Sequence, residues 1–286
     1  MTNDDNNPDA AVQRLKILLA GEDKNIPLAE AALIIAHHLA PDTDVALYVK
    51  KLQVMQAELA RTIAPDADTQ KKIAALNAYL FDEMEYQGNE LDYYNPWNSF
   101  LSAVIDSKAG IPITLSILYI ELGNAIGLNL QGVNIPGHFL VMVAGEKNRT
   151  VLNAFNNGEA VSDEDLRGFI AAAQGGAAGA AANLDELIQP ASHRDILARL
   201  IRNLKKIYFD EDDFELAIET INLLLLINPD SAEEYRDRGL IYQQLEAFRA
   251  SLADLTHYLE LAPNASDAQL VRNMISELKE INAKFN

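Results

Sequence analysis

The fold of this chain is decided by NPWNSFLSAVIDSKAGIPITLSILYIELGNAIGLNLQGVNIPGHFLVMV, residues 95–143. A turn cluster opens this stretch and predicts a tight loop before the first helix. Pro112 suits the first turn of a helix and Gly127 suits its end, so the apolar run between them predicts a buried helix. Residues 128–135 and 138–144 then favour two strands that flank a Pro-Gly break.

Working outward toward the N-terminus, apolar spacing predicts four helices in the first ninety residues. They cover approximately residues 8–20, 27–40, 44–63 and 68–87. In the turn cluster, Trp97 is the only tryptophan and is expected in a core. Asn98 and Ser99 are expected to cap a helix that ends at Gly110.

Toward the C-terminus, the pattern predicts a short strand and a helix before the chain changes character. The strand is TVLNAF, and the helix SDEDLRGFIAAA is expected to have Ser162 as its N-cap. Residues 174–182, QGGAAGAAA, have the composition of a flexible linker.

The last hundred residues contain an internal repeat. Phe214 aligns with Phe248 and Pro229 aligns with Pro263, with the same offset of 34 residues. This period is typical of tetratricopeptide helix pairs. Residues 267–284 would supply a capping helix. The sequence therefore predicts an all-helical C-terminal segment.

Composition excludes several classes of function. The 286-residue chain has 23 Lys and Arg against 42 Asp and Glu, a formal net charge of -19, so nucleic-acid and membrane-surface binding are not expected. It has no cysteine, which excludes disulfides and thiolate chemistry. A polar N-terminus and the lack of an 18-residue apolar run predict a cytoplasmic protein with neither secretory signal nor membrane span.

Several motifs together resemble one protein family. They are PLAEAALIIAHHLAPDTDVALYVKKL, GNELDYYNPWNSFLSAVIDSKAGIPITLSILYIELGNAIGL, GVNIPGHFLVMV, LNAFNNGEAVSDEDL, ILARLIRNLKKIY and RDRGLIYQQL. The chain resembles the bacterial SirB-type proteins, which join a transglutaminase-like domain to tetratricopeptide repeats. The resemblance implies an α+β, mostly helical fold: N-terminal helices, a papain-like core with a small antiparallel sheet, and an all-α C-terminal segment.

We expect the domains to divide along the same motifs. Their ranges are 1–90 for an N-terminal helical subdomain packed on the core, 91–173 for the transglutaminase-like core, 174–191 for the linker and 192–286 for the repeat segment.

The resemblance also implies where an active site would be. Active members of the superfamily use a Cys at the start of the buried helix, a His on the next strand and an Asp on the strand after it. His138 occupies the His position and Asn153 the third position. The nucleophile position falls at residues 112–114, where Thr114 and the nearby Ser116 offer only hydroxyls. Transglutaminase or thiol-protease activity is therefore not expected.

Two functions remain open, with no cofactor or metal expected for either. One is a non-catalytic interaction or regulatory scaffold that binds a protein or peptide through its repeats. The alternative is a hydrolase or acyl transferase on amide bonds, with His138 as base and a Ser or Thr nucleophile. The sequence is equally compatible with His138 as a core residue that has no role in a site. Expected cleft residues are Asn98, Asn134 and Gly137. Expected partner-binding residues are Arg199, Arg202, Lys205, Tyr208, Tyr235 and Tyr242.

Overall fold

A computed structural model describes residues 8–135, 137–144, 150–173 and 183–284. The chain forms two compact units, Met1–Leu200 and Ile201–Asn286. The fold is α+β and mostly helical, with an all-α C-terminal segment, as the sequence predicts. Within the predicted linker, residues 174–191, the Gly/Ala-rich part at 174–182 lies outside the described residues. The rest of the linker, residues 183–191, contains the short helix Leu184–Leu187 and a bridge between Pro190 and Val133.

The predicted N-terminal helices are present. They are α1 (Pro8–Leu19), α2 (Leu28–Leu39), α3 (Val45–Thr62) and α4 (Thr69–Asn77), and α4 continues into a π-helix at Ala78–Glu83. Asp44 and Asp68 act as N-caps, because their side chains accept hydrogen bonds from the backbone N–H groups of Leu47 (3.0 Å) and Lys71 (2.8 Å). These caps fix where α3 and α4 begin.

The next elements lead into the core helix. They are β1 (Gln87–Gly88), α5 (Leu101–Ser107), β2 (Ala109–Gly110) and α6 (Pro112–Ala125). β1 and β2 pair in parallel, a contact that the sequence pattern did not predict. α6 is buried on nearly every side, which confirms the prediction from its apolar sequence.

A four-stranded antiparallel sheet packs beside α6. Its strands are β3 (Leu130–Ile135), β4 (His138–Val143), β5 (Thr150–Asn153) and β6 (Glu159–Ala160), in the order β3-β4-β5-β6. A Cβ at Gly123 of α6 would overlap Leu130, so α6 covers the face that carries Leu130. Side chains alternate along a strand, and Leu130 pairs with Val143. Val141 and Phe139 therefore share the α6 face.

The other face of the sheet has its own core. α7 (Asp163–Ala173) and α8 (Leu184–Leu187) cover it. Their apolar side chains form one cluster with those of the sheet: Val133, Ile135, Leu140, Val151, Leu166, Ile170, Leu184 and Ile188. Ser162 caps α7 as predicted, because its hydroxyl accepts from the Asp165 N–H at 3.1 Å. The sheet thus separates two apolar layers.

The C-terminal segment consists of helices in pairs. They are α9 (His193–Asp210), which begins in the first unit, α10 (Phe214–Ile227), α11 (Ala232–Gln244), α12 (Phe248–Leu261) and α13 (Ala268–Lys284). A Cβ at Gly239 of α11 would lie 2.8 Å from Leu255 of α12, so glycine allows the close approach of the second pair. This arrangement confirms the all-helical prediction.

Candidate functional site

His138 is the first residue of β4 and lies on the face covered by α7. Its strand partner is Ile135, which belongs to the apolar cluster of that face. The imidazole stacks on the ring of Phe169 of α7, with centroids 3.8 Å apart. Burial lowers the pKa of His138, and the positive charge of Arg199 lowers it further. Both effects disfavour the protonated imidazole.

The two candidate hydroxyls are on α6, the helix that covers the sheet face opposite the one that carries His138. Thr114 is fully buried; its hydroxyl donates to the backbone oxygen of Asn98 at 2.8 Å and accepts from the N–H of Ile111 at 3.2 Å. Ser116 is also fully buried, and its hydroxyl has no partner among the described residues. Neither hydroxyl shares an open space with the imidazole, so we assign no nucleophilic role to either.

Asn153 lies at the end of β5. The pairing of Val141 with Leu152 places it on the same sheet face as His138. Its side-chain oxygen accepts a hydrogen bond from the N–H of Phe155 at 3.1 Å and so caps a short 3₁₀ helix. Within the described chain no hydrogen bond joins Asn153 to His138. The amide therefore fixes a turn rather than orienting the imidazole.

Asn98 braces a loop instead of capping α5. Its Nδ2 donates to the backbone oxygen of Asp92 at 2.6 Å, and its Oδ1 accepts from Asn89 at 3.0 Å. The predicted cap is wrong, because α5 begins only at Leu101 and has Phe100 as its N-cap without a side-chain bond.

Trp97 follows the same loop, and its predicted place in a core is also wrong. The side chain is 57% exposed. Asn95 accepts from the Trp97 N–H at 3.0 Å and begins a 3₁₀ turn that spans Pro96–Ser99. The indole and the Phe100 ring meet in a T-shaped arrangement, with a centroid distance of 5.4 Å. The local turn, rather than apolar burial, decides the direction of this side chain.

Asn134 and Arg199 meet at the β3–β4 hairpin. The Arg199 Nη1 donates to the side-chain oxygen of Asn134 and, at 3.2 Å, to the backbone oxygen of Ile135. The guanidinium also lies over the ring of Phe139, 5.6 Å from its centroid. Gly137, at the turn of the hairpin, has a φ of +79°, which favours glycine. Arg199 of α9 thus contacts the β3–β4 hairpin within the first unit.

Two aromatic residues at this hairpin were not predicted as site residues: Phe139, which lies under the Arg199 guanidinium, and Phe169, which stacks on His138. No periodic pattern links them, because Phe139 is on β4 and Phe169 is on α7. Only the tertiary fold brings them together.

Two of the predicted basic residues of the repeat segment, Arg202 and Lys205, form an internal ion network. Lys205 Nζ donates to Glu234 at 2.6 Å and to Asp237 at 2.8 Å, and Arg202 Nε donates to Glu234 at 3.3 Å. The Glu234 side chain is 1% exposed. A buried carboxylate of this kind needs its cations to remain stable in the fold. Lys205 and Arg202 therefore stabilise the join between α9 and α11.

The three predicted tyrosines differ in environment. Tyr208 is buried, which raises its pKa to about 12. Tyr235 packs edge-on against His257, with centroids 4.4 Å apart. The guanidinium of Arg238 lies 5.5 Å from the ring centroid of Tyr235 and 6.0 Å from that of Tyr242. Tyr235 and Tyr242 therefore form one partly exposed aromatic surface.

Within the described residues, no group of three or more His, Cys, Asp or Glu side chains could hold a metal ion. No helix in that part of the chain is long and apolar enough to cross a membrane.

A buried helix packed on a small antiparallel sheet, followed by paired helices, defines the class of this protein. The chain belongs to the transglutaminase-like superfamily, which matches residues 46–202. A tetratricopeptide-repeat family matches residues 204–276. Both assignments agree with the two kinds of structure described above.

Within that class, the chain is similar to several bacterial proteins along most of its length. A UPF0162 protein of Xylella fastidiosa is 36% identical over 257 residues, which cover 90% of this chain and 92% of the relative. A UPF0162 protein of Vibrio cholerae is 28% identical, with 88% and 92% covered. Protein SirB1 of Salmonella typhimurium is 24% identical, with 90% and 94% covered.

Proposed function

We propose that this protein is a non-catalytic interaction scaffold. One observation carries the proposal: Thr114, the hydroxyl residue within the stretch 112–114 where the resemblance implies the nucleophile, is fully buried and hydrogen-bonded to Asn98 and Ile111. A chain with no cysteine cannot supply a thiolate from elsewhere. An enclosed hydroxyl whose hydrogen bonds are already made is a poor nucleophile.

The geometry of His138 supports the same conclusion. A base must lie within hydrogen-bond reach of the proton that it removes. His138 lies on the α7 face of the sheet, whereas Thr114 and Ser116 belong to α6, the helix that covers the other face. The hydrolase or acyl-transferase alternative therefore has no supporting contact among the described residues.

The repeats supply the binding surface in this proposal. Tetratricopeptide arrays generally bind proteins or peptides along the surface that their successive helix pairs form. A cavity of about 320 Å³ lies between α9 and α11, the first helices of two successive pairs. Phe209, which is 50% exposed, lines it together with Leu240 and Lys206. We call this cavity the repeat groove and propose that it takes an apolar side chain of a partner.

Capture by the full-length protein tests the binding role. The tagged wild type is cross-linked in a lysate of its own organism and compared with Phe209→Asp and with Leu270→Asp. Leu270 is a matched control, because it is also an exposed apolar residue of the second unit, 63% exposed, and does not line the repeat groove. Wild type and Leu270→Asp should capture the same partner, and Phe209→Asp should lose it.

Turnover measurements test the absence of catalysis. The purified protein is incubated with a glutamine-containing acyl donor and a fluorescent amine, and separately with an amide library. No product above the buffer rate is expected, with or without His138→Ala. Turnover that disappears in His138→Ala would contradict the proposal. In the capture experiment, identical capture by wild type, Phe209→Asp and Leu270→Asp would contradict it as well.

A further inference from the structure

One side of α3 carries apolar side chains that the rest of the described chain covers only in part. Leu47 and Val54 are seven residues apart, so they lie two turns apart on the same side of the helix. They are 47% and 49% exposed, although the helix also sends Met55 into the core. Together they form an exposed apolar ridge along two turns of α3.

A groove of about 470 Å³ runs beside this ridge. Its apolar lining comes from α3, from the segment that follows the π-helix and from α5, and consists of Leu47, Val54, Met55, Met84, Tyr86 and Ile105. α3 therefore supplies both a ridge of exposed side chains and one side of the groove next to it. A surface that offers a ridge and a matching groove can pack against a second copy of itself.

Charged residues of α3 border the same groove. Lys50 and Glu58 are both exposed, and the hydroxyl of Tyr79 donates to a carboxylate oxygen of Glu58 at 2.8 Å. Lys51 is engaged within the chain, because its Nζ donates to Asp106. Lys50 and Glu58 are therefore the charges that a second molecule would meet on this face.

These two charges are placed symmetrically about Val54. Lys50 precedes Val54 by four residues, and Glu58 follows it by four. If two copies of α3 packed antiparallel about an axis at Val54, Lys50 of each copy would face Glu58 of the other. A parallel pairing would place Lys50 against Lys50 and Glu58 against Glu58, and like charges repel. The charge pattern therefore selects a second copy in the antiparallel orientation.

We propose that this face of α3 is the interface of a homodimer, in which the α3 helices of two copies pack antiparallel about a twofold axis at Val54. Leu47 and Val54 of each copy fill the groove of the other, and two ion pairs between Lys50 and Glu58 flank the axis. One helix and one groove from each copy make a small interface, so the dimer dissociates on dilution. The surface belongs to the first unit and does not depend on the repeat groove.

Disulfide cross-linking tests the position of the axis, because the chain has no cysteine of its own. In Val54→Cys the two new thiols face each other across the axis, as the close approach of Cβ atoms in a disulfide requires. The full-length protein is treated with oxidised glutathione, which is reduced as the two thiols join, and the covalent dimer is measured on a non-reducing gel. Gln53→Cys is the matched control, an exposed neighbour on α3 that does not line the groove. Val54→Cys should cross-link at least about tenfold faster than Gln53→Cys.

Sedimentation equilibrium of the full-length protein tests the contacts. Val54→Asp should abolish the dimer, because it places two carboxylates at the axis. Ile17→Asp, at a 73% exposed apolar residue of α1 outside the groove, should dimerise as the wild type does. Lys50→Glu and Glu58→Lys should each raise the dissociation constant about tenfold, since each turns two attractive contacts into repulsive ones. The double variant reverses both pairs and should return to the wild-type constant.

Several results would overturn the proposal. One is a wild type that stays monomeric up to about 1 mM, the result expected if the groove takes a helix of a different protein. Another is a folded Val54→Asp that dimerises like the wild type. Cross-linking of Gln53→Cys as fast as that of Val54→Cys, or a double charge reversal no better than the single ones, would do the same. Circular dichroism checks the fold of each variant, and if Val54→Asp fails to fold, the cross-linking and charge-reversal results decide.

Discussion

Thr114→Cys would place a thiol within residues 112–114, the stretch where the resemblance to the superfamily implies the nucleophile. The hydroxyl of Thr114 accepts from the Ile111 N–H and donates to the Asn98 oxygen. A thiol bonds both groups weakly, and leaving buried polar groups unsatisfied costs about 1–3 kcal/mol. We expect a folded but less stable protein, with no amine incorporation, since the thiol remains enclosed and His138 lies across the sheet.

The absence of any other cysteine makes the new thiol a unique probe. Its reaction with a disulfide reagent requires a local opening of the core around α6. If that opening costs about 3 kcal/mol, labelling is slower than that of an exposed thiol by about a hundredfold, because 1.36 kcal/mol corresponds to a factor of ten. Gln53→Cys, on an exposed position of α3, is the control.

Two results of the Thr114→Cys experiment would contradict an enclosed Thr114 that is separated from His138. The first is labelling of Thr114→Cys as fast as that of Gln53→Cys, which would mean that the position is open. The second is amine incorporation by Thr114→Cys that is lost in the double variant with His138→Ala, which would mean that the two residues act together.

Two further predictions concern charged residues. Lys205→Met should destabilise the second unit by about 3–5 kcal/mol, because it removes a cation from the buried Glu234. The control Lys206→Met changes an exposed residue and should cost at most about 0.5 kcal/mol. Hydrogen exchange by mass spectrometry measures both variants, and equal protection in the two would contradict the role of the ion network. The pKa of His138, measured by NMR, should lie below 6.5 and rise in Arg199→Gln, because both burial and the charge of Arg199 lower it. The unfolded chain then binds a proton at His138 more readily than the folded protein does, so the free energy of unfolding falls as the pH drops below 6.5. This fall should be smaller in Arg199→Gln. An unchanged His138 pKa in Arg199→Gln would show that the charge of Arg199 does not act on His138.

Much of the fold could be predicted from local sequence. The caps Asp44, Asp68 and Ser162 begin helices where the pattern places them, and the apolar run of α6 is buried. The repeat offset of 34 residues likewise predicts helix pairs. These features depend on hydrogen bonds and periodicities within a few turns of one element, so the sequence displays them directly.

The predictions for Trp97 and Asn98 were wrong because two interactions compete for each of these residues. Trp97 is apolar enough for a core, but the Asn95 turn directs it to the surface. Asn98 is a good helix cap, but its amide is used by the Asp92 loop. In both cases the outcome depends on which hydrogen bonds the surrounding loop can make, and a propensity does not contain that information.

Motifs and local patterns were sufficient to predict the class of this protein: a papain-like core without a cysteine, followed by helical repeats. The contacts of the candidate site residues depend on the tertiary structure. It places His138 on the sheet face opposite the one covered by α6, the helix that carries Thr114, and it brings Arg199 of α9 to the β3–β4 hairpin. The physical reason is that side-chain direction follows from strand register and helix packing, and both are set by contacts between residues far apart in the chain.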